Sequence, residues 1–382
     1  MEFLQLMENW DGYRPVGSAR LNEAAMTRFI DLVANKDRLP RHRHEYLLRE
    51  AITTADFPNL FGGVLDRSML ARYRSAPSPW RAYTKVGSSR DFRVKSIHKV
   101  QGNDTVLDLV PEKTEYPIAP MSDDHYDLQV RKYGRSFDIS WEAIINDVYN
   151  AMGDIPQRFA SAAVDTVARA VTALYCGAAA PNVLLFGAPI ADIDGGNVTN
   201  LGILPLTIAN LGTTLQLMAA QTDVNGRPLG IRGAHLVVPP ALEITARQIL
   251  TSAFVQQVDT AGGANAAVTT FVPLPTANVL PQMGLQLHVD PWIPIIMPVA
   301  AANRTWFLFA DYNQGAPFEL DFLAGHEEPE IVMKAANKVT VGGGALDPMS
   351  GDFESDNILY RVRHCHGGIQ LDPRMAFAQV GP

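Results

Sequence analysis

The sequence predicts an α+β fold, and three stretches carry that prediction. From Tyr133 through Phe137 to Ile139, odd-numbered residues are apolar or aromatic and share one face of an extended segment that meets a helix cap at Ser140. A long helical pattern follows over Asp154–Gly177, with Phe159, Ala163, Val167, Ala170, Val171 and Leu174 down one side. Near the end, Ile358, Tyr360 and Val362 alternate with Leu359, Arg361 and Arg363 at a period of two.

The strand-cap-helix stretch is the most informative. The Ser140 hydroxyl can accept from one of the unpaired N–H groups that open a helix, and Glu142 puts negative charge where the helix dipole favours it. Trp141, Ile144, Ile145 and Val148 fall at i, i+3, i+4 and i+7, so with Phe137 and Ile139 they are expected to form a local core. The stretch contains no nucleophile with a paired base and no metal-ligand spacing. It is architecture.

The 382 residues suffice for a large core and suggest two or three domains; 47% hydrophobic and 19% charged content describes an ordered globular chain. A net charge of -8 argues against gripping DNA through a broad basic face. Two cysteines, Cys176 and Cys365, are too few for a disulfide framework and fit a reducing cytoplasm. Met1-Glu2-Phe3 opens no signal-peptide pattern and no apolar run reaches spanning length, so cytosolic synthesis without a membrane partner is expected.

Along the chain, residues 1–56 read as short helices that must lean on another surface, with Leu21, Ala25, Phe29, Leu32 and Val33 as one stripe. Another helix is expected over Asp56–Tyr73. Alternation from Phe92 to Val100, a turn at Gly102-Asn103-Asp104 and a return over Val106–Val110 predict a hairpin, and Arg90, Arg93, Lys95, Lys99 and Lys113 make it basic. Such a ribbon is marginal alone and needs a partner surface. Asp123-Asp124-His125 reads as its polar end. Further on come a helix at Thr207–Ala220, a turn at Asn225-Gly226, a buried strand at His235–Val238 that stops at prolines, and a helix over Ala241–Leu250. A loop is expected at Thr260–Asn265, a core strand at Trp306–Phe309, a loop at Gly342-Gly343-Gly344 and a turn at Gly367-Gly368.

Taken in order, these blocks resemble the major capsid proteins of tailed bacteriophages, the Johnson or Hong Kong ninety-seven-like fold, and among them most closely the Mu-type major head subunit. The resemblance rests on Ala51-Ile52-Thr53-Thr54-Ala55-Asp56-Phe57-Pro58, the Tyr133–Val148 run, Leu236-Val237-Val238-Pro239-Pro240-Ala241-Leu242-Glu243, Tyr360-Arg361-Val362-Arg363-His364 and Leu371-Asp372-Pro373-Arg374-Met375-Ala376. It implies an N-terminal arm at 1–60, a connecting helix at 61–80 and an extended β-hairpin loop at 81–130. A peripheral domain at 131–203 holds the spine helix 154–177, an axial domain spans 204–310, and return strands of both domains fill 311–382. It also implies hexamers and pentamers in an icosahedral shell, portal and scaffolding partners, an optional decoration protein, packaged double-stranded DNA without sequence-specific binding, and a place in the virion after synthesis in host cytoplasm. The first fifty residues are too short for a fused scaffolding domain, so a separate scaffold is expected.

No catalytic residue, cofactor site or metal site is predicted. His364 and His366 share a strand face, but zinc requires three or four ligands and no second cluster accompanies them. Gly342-Gly343-Gly344 lacks the Lys-Ser/Thr of a phosphate loop. The expected inter-subunit contacts pair the basic hairpin with a neighbour's Glu327, Glu328 and Glu330. The competing readings are an encapsulin-like nanocompartment shell of the same fold and a cytosolic metal-dependent hydrolase using His364 and His366.

Overall fold

The computed structural model describes residues 69–102, 109–116, 121–140, 151–192, 196–258, 273–334, 337, 341 and 352–382. The arm helices, the Ala51–Pro58 block, the Trp141–Val148 stripe, the hairpin turn at Asn103-Asp104, the Thr260–Asn265 loop and Gly342-Gly343-Gly344 lie outside those residues. The chain divides into two compact units, a larger one of residues 70–134, 158–330 and 363–382 and a smaller one of 1–69, 135–157 and 331–362.

The strands are β1 (Lys85–Ser89), β2 (Lys95–Gly102), β3 (Met121–Leu128), β4 (Arg131–Ser140), β5 (Ile190–Ala191), β6 (Asn197–Val198), β7 (Leu201–Gly202) and β8 (Gly233–Val238). They continue as β9 (Phe254–Val258), β10 (Pro273–Ala277), β11 (Gln286–Val289), β12 (Thr305–Ala310), β13 (Phe318–Leu323), β14 (Glu330–Met333), β15 (Asn357–Gln370) and β16 (Ala376–Val380). The longer helices are α1 (Ala151–Tyr175), α2 (Ile208–Ala219) and α3 (Glu243–Thr251).

In the larger unit one sheet runs β11-β8-β12-β16-β7. Its central strand β12 is buried throughout, which explains the unbroken apolar run Trp306-Phe307-Leu308-Phe309. Because side chains alternate, Phe307 and Phe309 join one core while Trp306, Leu308 and Ala310 join another. Val167, Val171, Leu174 and Tyr175 of α1 cover the first. Leu211, Leu215 and Met218 of α2, with Ala246 and Ile249 of α3, cover the second. Thr207 caps α2 by accepting from the Asn210 N–H at 3.2 Å. The 25 residues of α1 span about 37 Å at 1.5 Å per residue, and the helix stops just before Cys176, which is buried as a small apolar side chain.

The second sheet runs β1-β13-β15-β14, and β4 also pairs with β15. Strand β13 is buried along its length, and alternation splits it. Phe318, Leu320 and Phe322 enter the first core, while Glu319 and Asp321 point to the other face. Gly87 on β1 lies opposite Asp321; a Cβ there would fall 2.2 Å from Asp321 Oδ1 and 2.7 Å from Glu319 Oε1. Glycine at this position makes room for two buried carboxylates.

Two sequence expectations need correction. The return strand of the hairpin is β3, not Val106–Val110: β2 pairs antiparallel with it in the register Lys95↔Leu128, Ile97↔Tyr126 and Lys99↔Asp124. The aspartate-rich segment read as the polar end of the hairpin is therefore one of its two strands, and Leu109 and Val110 lie in irregular backbone. The second correction concerns Gly367-Gly368, which continue β15 instead of turning. A Cβ on Gly367 would fall 2.2 Å from the Gln129 carbonyl oxygen, so this glycine serves close backbone approach. Gly367→Ala is accordingly expected to destabilise the subunit by about 1–3 kcal/mol through forced backbone movement; an unchanged thermal midpoint would contradict that packing.

In the smaller unit, Phe137 stacks on Tyr360 with ring centroids 5.1 Å apart, and Asn357 Nδ2 donates to Asp138 Oδ2 at 3.2 Å. Phe137 and Ile139 are half-buried and Ser140 is the last residue of β4.

Candidate functional site

The hairpin β2–β3 has two chemically distinct faces. Alternation places Lys95, Ile97, Lys99, Tyr126 and Leu128 on one side and Ser96, His98, Asp123, His125 and Asp127 on the other. Lys95, Ile97, Lys99 and Tyr126 are half-buried and Leu128 is buried, whereas the five residues of the second side are exposed.

The half-buried side rests on the hairpin's own subunit. Lys95 Nζ lies 2.7 Å from Asp321 Oδ2 and 3.3 Å from Glu319 Oε1. The same two carboxylates also engage β1: Lys85 Nζ lies 2.8 Å from Glu319, and Ser89 Oγ donates to Asp321 Oδ2 at 2.6 Å. Lys99 Nζ sits 2.8 Å from Asp192 Oδ2 and 2.9 Å from Asp372 Oδ2. Between these anchors Ile97 packs against Leu128, Val130, Leu323 and Cys365.

Asp192 is the centre of the second anchor. Its side chain is 1% exposed and accepts from Arg374 Nη1 at 2.5 Å, from Lys99, and from the Tyr126 hydroxyl at 3.1 Å. Arg374 is 3% exposed and its Nε donates to the Thr222 carbonyl. Asp372 accepts from the Arg374 backbone N–H and so holds the turn before β16. Burial alone would lower the Lys95 and Lys99 ammonium groups. Asp321 and Glu319 outweigh it at Lys95, and Asp372 and Asp192 outweigh it at Lys99, so both are held above the usual lysine value. A raised lysine keeps its contribution through neutral pH and loses it only as pH rises through the folded-state value.

The remaining residues expected at inter-subunit contacts are placed as follows. Arg90 and Lys113 are exposed, and Arg93 lies 3.9 Å from Asp91. Glu328 is paired with Arg74 through two hydrogen bonds of 2.6 and 2.7 Å, which hold its carboxyl below the usual range against the opposing effect of burial. Glu330 meets Arg363 at 2.5 Å, and the exposed Glu327 lends its backbone carbonyl to His364 Nε2 at 3.1 Å. Within the described chain, then, Lys95, Lys99, Glu328 and Glu330 are engaged with residues of their own subunit. The alternation Phe318-Glu319-Leu320-Asp321-Phe322 is a sequence signal for the acceptors of Lys95, whereas no local pattern marks Asp192 and Asp372 as those of Lys99.

His364 and His366 lie among rings. His366 stacks on Tyr133 at 4.4 Å, His364 on Phe322 at 5.5 Å, and Tyr73 meets His364 edge-on. Among the described residues no group of three or more His, Cys, Asp or Glu side chains could hold a metal ion.

A family model described as Phage capsid protein matches residues 126–379. The chain belongs to that family. Its role is that of a phage major capsid protein, a structural component of the virion. No curated protein matches the chain. It is similar to a solved structure titled asymmetric unit of bacteriophage PhiM1 mature capsid, with 11% identity over 80% of this chain and 87% of that one and a TM-score of 0.48. A structure from Gordonia phage Cozz is 11% identical over 78% and 84% of the two chains, with a TM-score of 0.46. One from Mycobacterium phage Patience is 14% identical over 85% and 88%, with a TM-score of 0.46.

Proposed function

We propose that this chain is the major head subunit of a tailed double-stranded DNA bacteriophage, with the Johnson fold and nearest the Mu-type branch. Copies associate as hexamers and pentamers and close an icosahedral head around the genome, with a portal and a separate scaffold as assembly partners. Residues 1–60 act as the arm, 81–130 as the extended loop, 131–203 with the spine helix as the peripheral domain, 204–310 as the axial domain, and 311–382 as the returning strands. The observation that carries this reading is the family match over residues 126–379, which takes in β4, α1, the strands from β5 to β15 and nearly all of β16. The physics is compatible with it. A shell made from one kind of subunit needs head-to-tail contacts that close through rings, and a two-stranded ribbon with one exposed face can supply one. The net charge of -8 disfavours adhesion of packaged DNA to the protein. The role is structural, without catalysis.

Electron micrographs of negatively stained particles from cells producing the chain test this reading. Closed shells of head size with a unique portal vertex are expected. Small uniform cages enclosing a protein cargo would support the nanocompartment instead, and a chain that stays monomeric under all assembly conditions would contradict both.

A further inference from the structure

Two exposed surfaces of the larger unit are complementary in charge. The first is the outward face of the hairpin. His98, Asp123, His125 and Asp127 are each more than half exposed there, and among the described residues that face carries two carboxylates and no lysine or arginine. Each aspartate lies 3.7 Å from a histidine, Asp123 from His98 and Asp127 from His125, while Ser96 Oγ donates to Asp127 at 2.9 Å. Alternation along β3 puts both carboxylates in one row on this face of the ribbon.

The second surface is the start of β4. This ten-residue strand is exposed at every position from Arg131 to Ser136, hence on both faces, and among the described residues β15 is the only strand it pairs with. Long exposed edges are ordinarily covered or blunted by charge. Arg131 and Lys132 follow each other on β4, so cationic groups flank the edge on both sides. Two residues separate the end of β3 from β4, yet within one chain the two strands do not pair: among the described residues β3 pairs with β2 and β4 with β15.

Resting on the reading of the chain as a shell subunit, we infer that the outward face of the hairpin of one copy packs against β4 of a neighbouring copy, with Asp123 and Asp127 facing Arg131 and Lys132. This reverses the polarity expected from composition. The hairpin's buried-side lysines serve its own subunit, and what it offers a neighbour is acid. Opposite patches of this kind steer encounter and fix register. The contact repeats head to tail, because donor and acceptor surfaces differ, as ring closure requires.

The test compares Asp123→Lys/Asp127→Lys, Arg131→Glu/Lys132→Glu and the combined fourfold exchange, each replacing the native chain in cells that make the complete phage. Each double variant is expected to lower the yield of sedimenting particles about tenfold or more, the equivalent of about 1.4 kcal/mol per contact. The fourfold exchange is expected to recover yield to within about threefold of wild type. Wild-type yields from both doubles, or a fourfold exchange as defective as the doubles while its subunits remain folded by circular dichroism, would overturn the assignment. So would particles of Arg131→Glu/Lys132→Glu that form normally and lose only DNA, since β4 would then face the genome. If a reversed chain fails to fold, Asp123→Asn/Asp127→Asn and Arg131→Gln/Lys132→Gln are read against the same yields. Absence of particles from the wild-type chain contradicts the capsid reading itself; normal wild-type particles with indifferent variants contradict this contact alone.

Discussion

Arg374→Ala is expected to destabilise the folded subunit by about 3–5 kcal/mol, the cost of leaving a buried charge without its partner. Asp192, at 1% exposure, would lose the guanidinium but keep the Lys99 ammonium and the Tyr126 hydroxyl, and the Thr222 carbonyl would lose a donor. The loss should appear as a lower denaturant midpoint at an unchanged slope. Asp192→Asn/Arg374→Met removes both charges and should be less destabilised than Arg374→Ala alone. A loss below about 1 kcal/mol for Arg374→Ala would mean that Lys99 suffices for Asp192, and the anchor would then belong to the hairpin alone.

Acid should weaken the subunit well before its carboxylates titrate. Burial, reinforced by the neighbouring His364, pushes His366 down to about 3. Burial, reinforced by His235, pushes His288 down to about 4. His235 and His364 are lowered as well, burial being the larger cause in each. Both ring nitrogens of His366 are buried without a hydrogen-bond partner, and its ring faces Tyr133, Phe322 and His364. His288 faces His235 at 3.1 Å and Tyr83. The unfolded chain protonates these imidazoles near pH 6.5 and the folded one only near 4 and 3, so the unfolded state binds more protons between those limits. Stability therefore falls as pH drops through that window, by about 1.4 kcal/mol per pH unit for each histidine. For the pair this reaches about 5 kcal/mol at pH 4.5. Thermal midpoints of the unassembled subunit between pH 7 and 4.5 would show it. His366→Phe, which keeps an aromatic ring in the stack, should reduce the slope by about one proton; an undiminished slope would contradict a neutral, buried His366.

Much of the architecture was legible in sequence, because periodicity reports which faces are buried. The α1 stripe, the Thr207–Ala220 helix, the Trp306–Phe309 strand and the alternation at Ile358, Tyr360 and Val362 each follow from one local pattern. The failures have a common cause, which is that pairing is nonlocal. Val106–Val110 offers a local hairpin return, yet β2 pairs with β3, whose Asp123-Asp124-His125 reads as a polar end because Asp123 and His125 face outward and Asp124 lies opposite Lys99. Gly367-Gly368 looks like a turn because glycine usually marks one, but here it admits the Gln129 carbonyl. The basic composition of the hairpin was also visible. Which face its lysines occupy was not, since that depends on Glu319, Asp321 and Asp192 far along the chain.

The most direct measurement is a cryo-electron microscopy map of the assembled shell at side-chain resolution. It is expected to show Lys95 and Lys99 still seated on Asp321 and Asp192 of their own subunit, with Asp123 and Asp127 against Arg131 and Lys132 of the next. A shell in which the hairpin's outer face meets only solvent, or in which both lysines leave their own subunit for a neighbour, would contradict this account.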